Sequence, residues 1–107
     1  MKDHRVLSRR QERAAEDEMF RALMSLKTVA DHRAFFQDLC TPAELQAMKD
    51  RWSVVELLAD GMTYRAIHDR TGVSVTTIGR VARCLMGEAG GYRVALDRMQ
   101  IKVNRDD

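Results

Sequence analysis

One proline and six glycines in 107 residues leave long stretches with nothing to break a helix. Phe, Tyr and Trp together make up 6% of the chain, so a core has to come from Leu, Val, Ile, Ala and Met. Its two cysteines, Cys40 and Cys84, lie far apart and form no CxxC unit, which excludes a disulfide framework. Kept reduced, they read as small apolar residues. His4, His32 and His68 stand at no metal-ligand spacing with them, so no metal is expected. No run approaches the ~18 apolar residues that a membrane helix needs. The start, Met1-Lys2-Asp3-His4-Arg5, lacks the apolar stretch of a signal peptide. A soluble, cytoplasmic chain is the expectation. A Gly-rich phosphate loop is missing, as is any nucleophile–base pair at a recognisable spacing. Glu44 and Glu56 fall twelve apart in one helical run, where solvation accounts for both, and no enzymatic activity is expected.

What the chain does have is 45% apolar and 32% charged residues, a composition that folds. The length supports one domain over residues 1–107, or one subunit of an oligomer, and a short helical subunit buries more surface by pairing with a second copy. The net charge of +2 identifies no partner, but its distribution is uneven. Residues 61–107 carry 8 basic and 5 acidic side chains, a balance of +3, whereas residues 41–60 carry 2 and 4, a balance of −2. Within 63–86, Arg65, Arg70, Arg80 and Arg83 face Asp69 alone. Such a local excess suits phosphate contact, with a plain solvated face as the competing account.

The apolar spacing predicts an all-α chain. Residues Leu7 to Leu26 are polar and helix-forming at first, and Met19, Phe20, Leu23 and Leu26 then describe one face. Residues 1–14 are therefore read as a flexible arm. A second helix is expected over Val29–Leu39 with Phe35, Phe36 and Leu39 inward, although no Pro or Gly marks its boundary with the first. Thr41-Pro42-Ala43-Glu44 is the strongest helix start, a capping box with proline in the first helical position. Leu45, Met48, Trp52, Val55 and Leu58 follow at intervals of three and four, and Gly61 stops the run. A last helix is expected from Tyr92 to about Val103, presenting Val94, Leu96, Met99, Ile101 and Val103.

Between these lies the informative stretch, residues 63–86. Thr63 can cap a short helix, Gly72 can take the positive φ of a tight turn, and Ser74 can cap a second helix. Ile67, Val73, Ile78 and Val81 stand where a helix-turn-helix needs its joint core. On the second helix Val75, Ile78, Val81, Ala82 and Leu85 project to the packed side, and Thr76, Thr77, Arg80 and Arg83 to the other. Threonine and arginine suit phosphate oxygens, the thymine methyl and the guanine edge, and Ser74 can offer its hydroxyl to a phosphate. Gly79 costs the helix roughly 1 kcal/mol relative to Ala, so a close approach of backbone or ligand beside Arg80 is its expected reason. An amphipathic helix with merely solvated Arg and Thr is the alternative for the same residues.

The run Tyr64-Arg65-x-Ile67-x-x-x-Thr71-Gly72-Val73-Ser74-x-Thr76-Thr77-Ile78-x-Arg80-Val81-x-Arg83-Cys84-Leu85, with Gly90-Gly91-Tyr92-Arg93 after it, resembles the YerC/YecD branch of the Trp repressor superfamily. Thr41-Pro42-x-Glu44 and Asp50-Arg51-Trp52 fit the same branch, so the likeness covers roughly residues 15–100. The resemblance implies an intertwined homodimer whose paired second helices meet successive major grooves of double-stranded DNA, as a transcriptional regulator and repressor. It implies a DNA contact for Arg65 on the first helix of the motif. It further matches Thr41, Arg51 and Arg80 to the positions that hold L-tryptophan in the Trp repressor. Val81 stands where that repressor has glycine beside the indole, and Gly79 where it has threonine. Ligand-free binding, or a small-molecule effector other than tryptophan, is accordingly expected. Two other readings use the same motif. A helix-turn-helix module that docks protein would meet an acidic partner through Arg80 and Arg83. A detached reading head of the sigma-factor or response-regulator type leaves the long N-terminal helices and Gly90-Gly91-Tyr92 unexplained.

Overall fold

Among the described residues, 6–106 of a computed structural model, the chain forms six helices and no strand. It divides between Thr41 and Pro42 into two compact units. The N-terminal unit holds α1 (Arg9–Met24) and α2 (Val29–Leu39). Ser8 accepts from the Gln11 amide while the Gln11 side chain accepts from the Ser8 amide, a full capping box at the head of α1. Thr28 caps α2 by accepting from the Asp31 amide at 3.0 Å, which fixes the boundary that no Pro or Gly marks. The second half of the expected arm, from Arg9, is thus helical, and residues 1–5 lie outside the described ones. Phe35 and Phe36 meet edge to face, 6.0 Å between ring centres. No residue of either helix is fully buried. Met24 and Val29 are 83% and 72% exposed, and Met19, Phe20 and Leu39 also open to solvent, where the sequence puts Met19, Phe20 and Leu39 inward.

The C-terminal unit contains α3 (Pro42–Ala59), α4 (Tyr64–Thr71), α5 (Val75–Leu85) and α6 (Gly91–Asp106). Gly61, at φ 87°, ends α3 in a Schellman closure: its own amide donates to Leu58 O, and the Met62 amide donates to Leu57 O. Two helices, α4 and α5, pack on α3, and α6 packs on α5. Val54, Val55, Ile67, Val73, Ile78 and Val81 form the core, with Trp52, Leu57, Leu58, Met62, Leu85, Tyr92 and Leu96 around it. Burying each aliphatic side chain in such a core contributes roughly 1.5–3 kcal/mol.

Several helix faces differ from the faces that the spacing predicts. Val54 is fully buried although it lies off the predicted stripe, because a spine helix covered by two neighbours buries two stripes. Conversely Met48, on that stripe, is 43% exposed. Val75 is exposed rather than packed, since the apolar side of α5 runs off the end of the core at its first residue, and Val94 and Met99 are likewise open on α6. The side chains of Ile101 and Val103 lie outside the described residues. Both cysteines are free, Cys84 exposed and Cys40 half-buried.

Candidate nucleic-acid interface

The path from sequence to surface runs through the turn between α4 and α5. Thr63 accepts from the Ala66 amide at 3.1 Å and starts α4. At the other end Gly72 takes φ 77°, a left-handed conformation that side chains resist, and its amide donates to His68 O at 2.8 Å. His68 then reaches over the turn, its Nδ1 2.7 Å from Val73 O. Because a carbonyl only accepts, Nδ1 must carry the proton in this contact. Thr71 donates its hydroxyl to Ile67 O at 2.7 Å and accepts from the Val73 amide at 3.1 Å. Together these bonds hold Val73 in the core and set the angle at which α5 leaves.

Ser74 caps α5 by accepting from the Thr77 amide at 3.1 Å. Its hydroxyl also shares a hydrogen bond with Thr77 Oγ1 at 3.0 Å, which ties the two hydroxyls together. In such a pair one hydroxyl donates to the other, and one of the two keeps a proton for an outside acceptor. Beyond the cap, Ile78 and Val81 are buried, while Thr76, Arg80 and Arg83 are exposed and Thr77 is half-exposed. Arg65 is exposed on α4. Val81 lies in the core at 1% exposure.

Two hollows flank α5, both within the C-terminal unit. The first, of about 340 Å³, is lined by Ala47, Asp50 and Arg51 of α3, by Gly72, Val73 and Ser74 of the turn, and by Thr77 and Arg80 of α5. It brings Arg51 and Arg80 to one cleft. Thr41 is the last residue of the other unit. Arg51 is steadied by donating Nε–H to Ala47 O at 3.3 Å, and Asp50 accepts from Gln46 Nε2 at 2.8 Å. Asp50 adds a negative wall that sequence reasoning left out of the site, and its spacing of one residue from Arg51 was the signal available. The second hollow, of about 310 Å³, has Arg80, Arg83, Cys84, Gly87, Glu88 and Ala89 around it. Gly79 lies under Arg83, whose Nη1 would stand 3.6 Å from a Cβ placed there.

A helical core thus braces a capped helix by its apolar side and turns threonine and arginine outward from it. The family model described as Trp repressor protein matches residues 14–100, and the chain belongs to that family. It is 42% identical over 84 residues to the uncharacterised protein YerC of Bacillus subtilis strain 168, covering 78% of this chain and 81% of YerC. Among solved structures it is similar to a protein from Staphylococcus aureus provisionally assigned as a Trp repressor. That match has 40% identity and a TM-score of 0.78, over 82% of this chain and 88% of the other. A TrpR-like protein from Eubacterium eligens matches with 35% identity and a TM-score of 0.76, over 81% and 90% of the two chains. No helix among the described residues is long and apolar enough to cross a membrane.

Proposed function

We propose that this protein is a sequence-specific transcriptional regulator, a repressor, that reads double-stranded DNA as a cytoplasmic homodimer. The observation that carries the reading is the division of α5: Ile78 and Val81 are locked in the core, and Thr76, Thr77, Arg80 and Arg83 face out along the opposite side. A helix so divided can lie in a major groove with its first turn toward base edges. Thr76 and Thr77 are the base-reading candidates. Arg80 and Arg83 supply charge for guanine edges or phosphates, and Arg65 and Ser74 flank them on the backbone. Family membership supports the same reading.

The exposed Phe20, Met24, Val29 and Leu39 support pairing with a second copy, since a lone chain would leave them to water. Two reading heads related by a two-fold axis would select a palindrome with half-sites about 34–36 Å apart. Where an effector acts, the Arg51–Arg80 cleft of the C-terminal unit is its seat. Tryptophan is the less favoured occupant.

Selection of genomic fragments by the purified protein at near-physiological salt, with and without L-tryptophan, tests the reading. An enriched palindrome that Arg80→Ala and Thr77→Ala abolish is the expected result. Binding that is weak, driven by salt alone and blind to sequence would defeat it, and would turn attention to an acidic protein partner for the same helix.

A further inference from the structure

The segment Gly90-Gly91-Tyr92-Arg93 has no share in the interface described above, and its geometry points to a use. We infer that Arg93 is a positioning residue for the reading helix: it clamps the C-terminal end of α5 and so sets where Arg80 and Arg83 meet DNA. The inference rests on the DNA-reading proposal.

The last carbonyls of a helix lack intrahelical partners. In α5 the Met86 amide donates to Ala82 O and the Gly87 amide to Cys84 O. Leu85 O is met differently, by Arg93 Nη1 at 2.6 Å, from eight residues further along the chain. This bond is charge-assisted, and it places a cation where the α5 dipole is negative. Arg93 also sits in the first turn of α6, the end of its own helix where a cation is unfavourable. A residue held at the wrong end of one helix and the right end of another is explained by the second.

The neighbouring residues complete the device. Gly90 takes φ 74°, a conformation that side chains resist, and a Cβ there would come 3.3 Å from Arg93 Nη2, close enough that the guanidinium would have to shift by a few tenths of an ångström. Tyr92 lies against Trp52 of α3 with ring centres 6.3 Å apart, which ties α6 to the spine. Thus α5 is fixed at its start by Ser74 and the His68–Val73 bond, and at its end by Arg93. Arg83 is two residues from the clamped carbonyl.

The test compares wild type, Arg93→Gln, Arg93→Lys and Gly90→Ala by hydrogen exchange and by binding to two duplexes: the fragment enriched by selection and a scrambled one of equal length. In Arg93→Gln, exchange at the Met86 and Gly87 amides should rise while that of the core stays slow. Affinity for the enriched fragment should fall by up to about tenfold, the ceiling that one charge-assisted hydrogen bond sets when its loss loosens α5 in the free protein, with the salt slope unchanged. Arg93→Lys should recover part of both effects, and Gly90→Ala should reproduce them. A salt slope lowered by about one would overturn the clamp, because Arg93 would then be an ordinary phosphate contact. Unchanged affinity for the enriched fragment in Arg93→Gln would overturn it too. A wild-type protein that prefers neither duplex defeats the DNA reading itself, an outcome visible before any variant is compared.

Discussion

At Gly72 the backbone stands at φ 77° with open space around a would-be Cβ, so the cost of a side chain there is conformational rather than steric. Gly72→Ala should therefore destabilise the fold by about 1–2 kcal/mol, the usual penalty of a left-handed residue, and thermal unfolding will read it as a lowered Tm. Gly79 presents the opposite case. It lies in regular helix, and a Cβ would make only an ordinary contact with Arg83 Nη1 at 3.6 Å. Gly79→Ala should raise stability by roughly 1 kcal/mol. If the low surface beside Arg80 serves close approach of DNA, the same variant should bind the selected fragment more weakly while melting higher. Unchanged affinity in the stabilised variant would show that DNA makes no close approach at Gly79. For the arginines, a base-contacting side chain replaced by Ala should cost ~1–3 kcal/mol and relax specificity at one base pair. A phosphate-contacting one should lower the salt slope by about one for every sequence. Titrating Arg80→Ala and Arg83→Ala at several salt concentrations will sort them.

The elements were largely legible because their signals are local. Thr63, Gly72 and Ser74 act within a few residues of themselves, and each does in the fold what its chemistry offered in the sequence. The joint core of Ile67, Val73, Ile78 and Val81 was legible too, since a steep helix pair admits few arrangements of apolar residues. What periodicity missed depends on neighbours. Val54 is buried only because both α4 and α5 cover α3, and a single stripe cannot reveal a second partner. Asp50 joins the cleft only once α3 and the turn are brought side by side. The boundary between α1 and α2 had a readable signal in Thr28 and Asp31, a capping pair, but lacked the Gly or Pro that draws attention to a boundary. The α4–α5 joint invites a test at this scale. Ile78→Ala removes a fully buried side chain and should cost about 2–5 kcal/mol. Denaturant unfolding will read that loss as a lowered midpoint.

For the whole molecule the unbalanced feature is the N-terminal unit, two helices in which no residue is fully buried. A two-helix unit cannot hold itself together on so little burial, and Met24 and Val29 at 83% and 72% exposure add apolar area that water disfavours. A second copy supplies the missing surface in the proposed dimer. Phe20 offers the means to test it, because at 47% exposure about half of its side chain is open to a partner. Sedimentation of the wild type should give about twice the 12.3 kDa mass of the chain, with a Tm that rises with protein concentration, as linked folding and association require. Phe20→Asp should sediment as a monomer. Its affinity for the palindrome should fall by roughly 100-fold or more, since two tethered heads become two independent ones, while each half-site is still read by an intact α5. A Phe20→Asp protein that remains dimeric and binds the palindrome unchanged would show that the pairing surface lies on other helices.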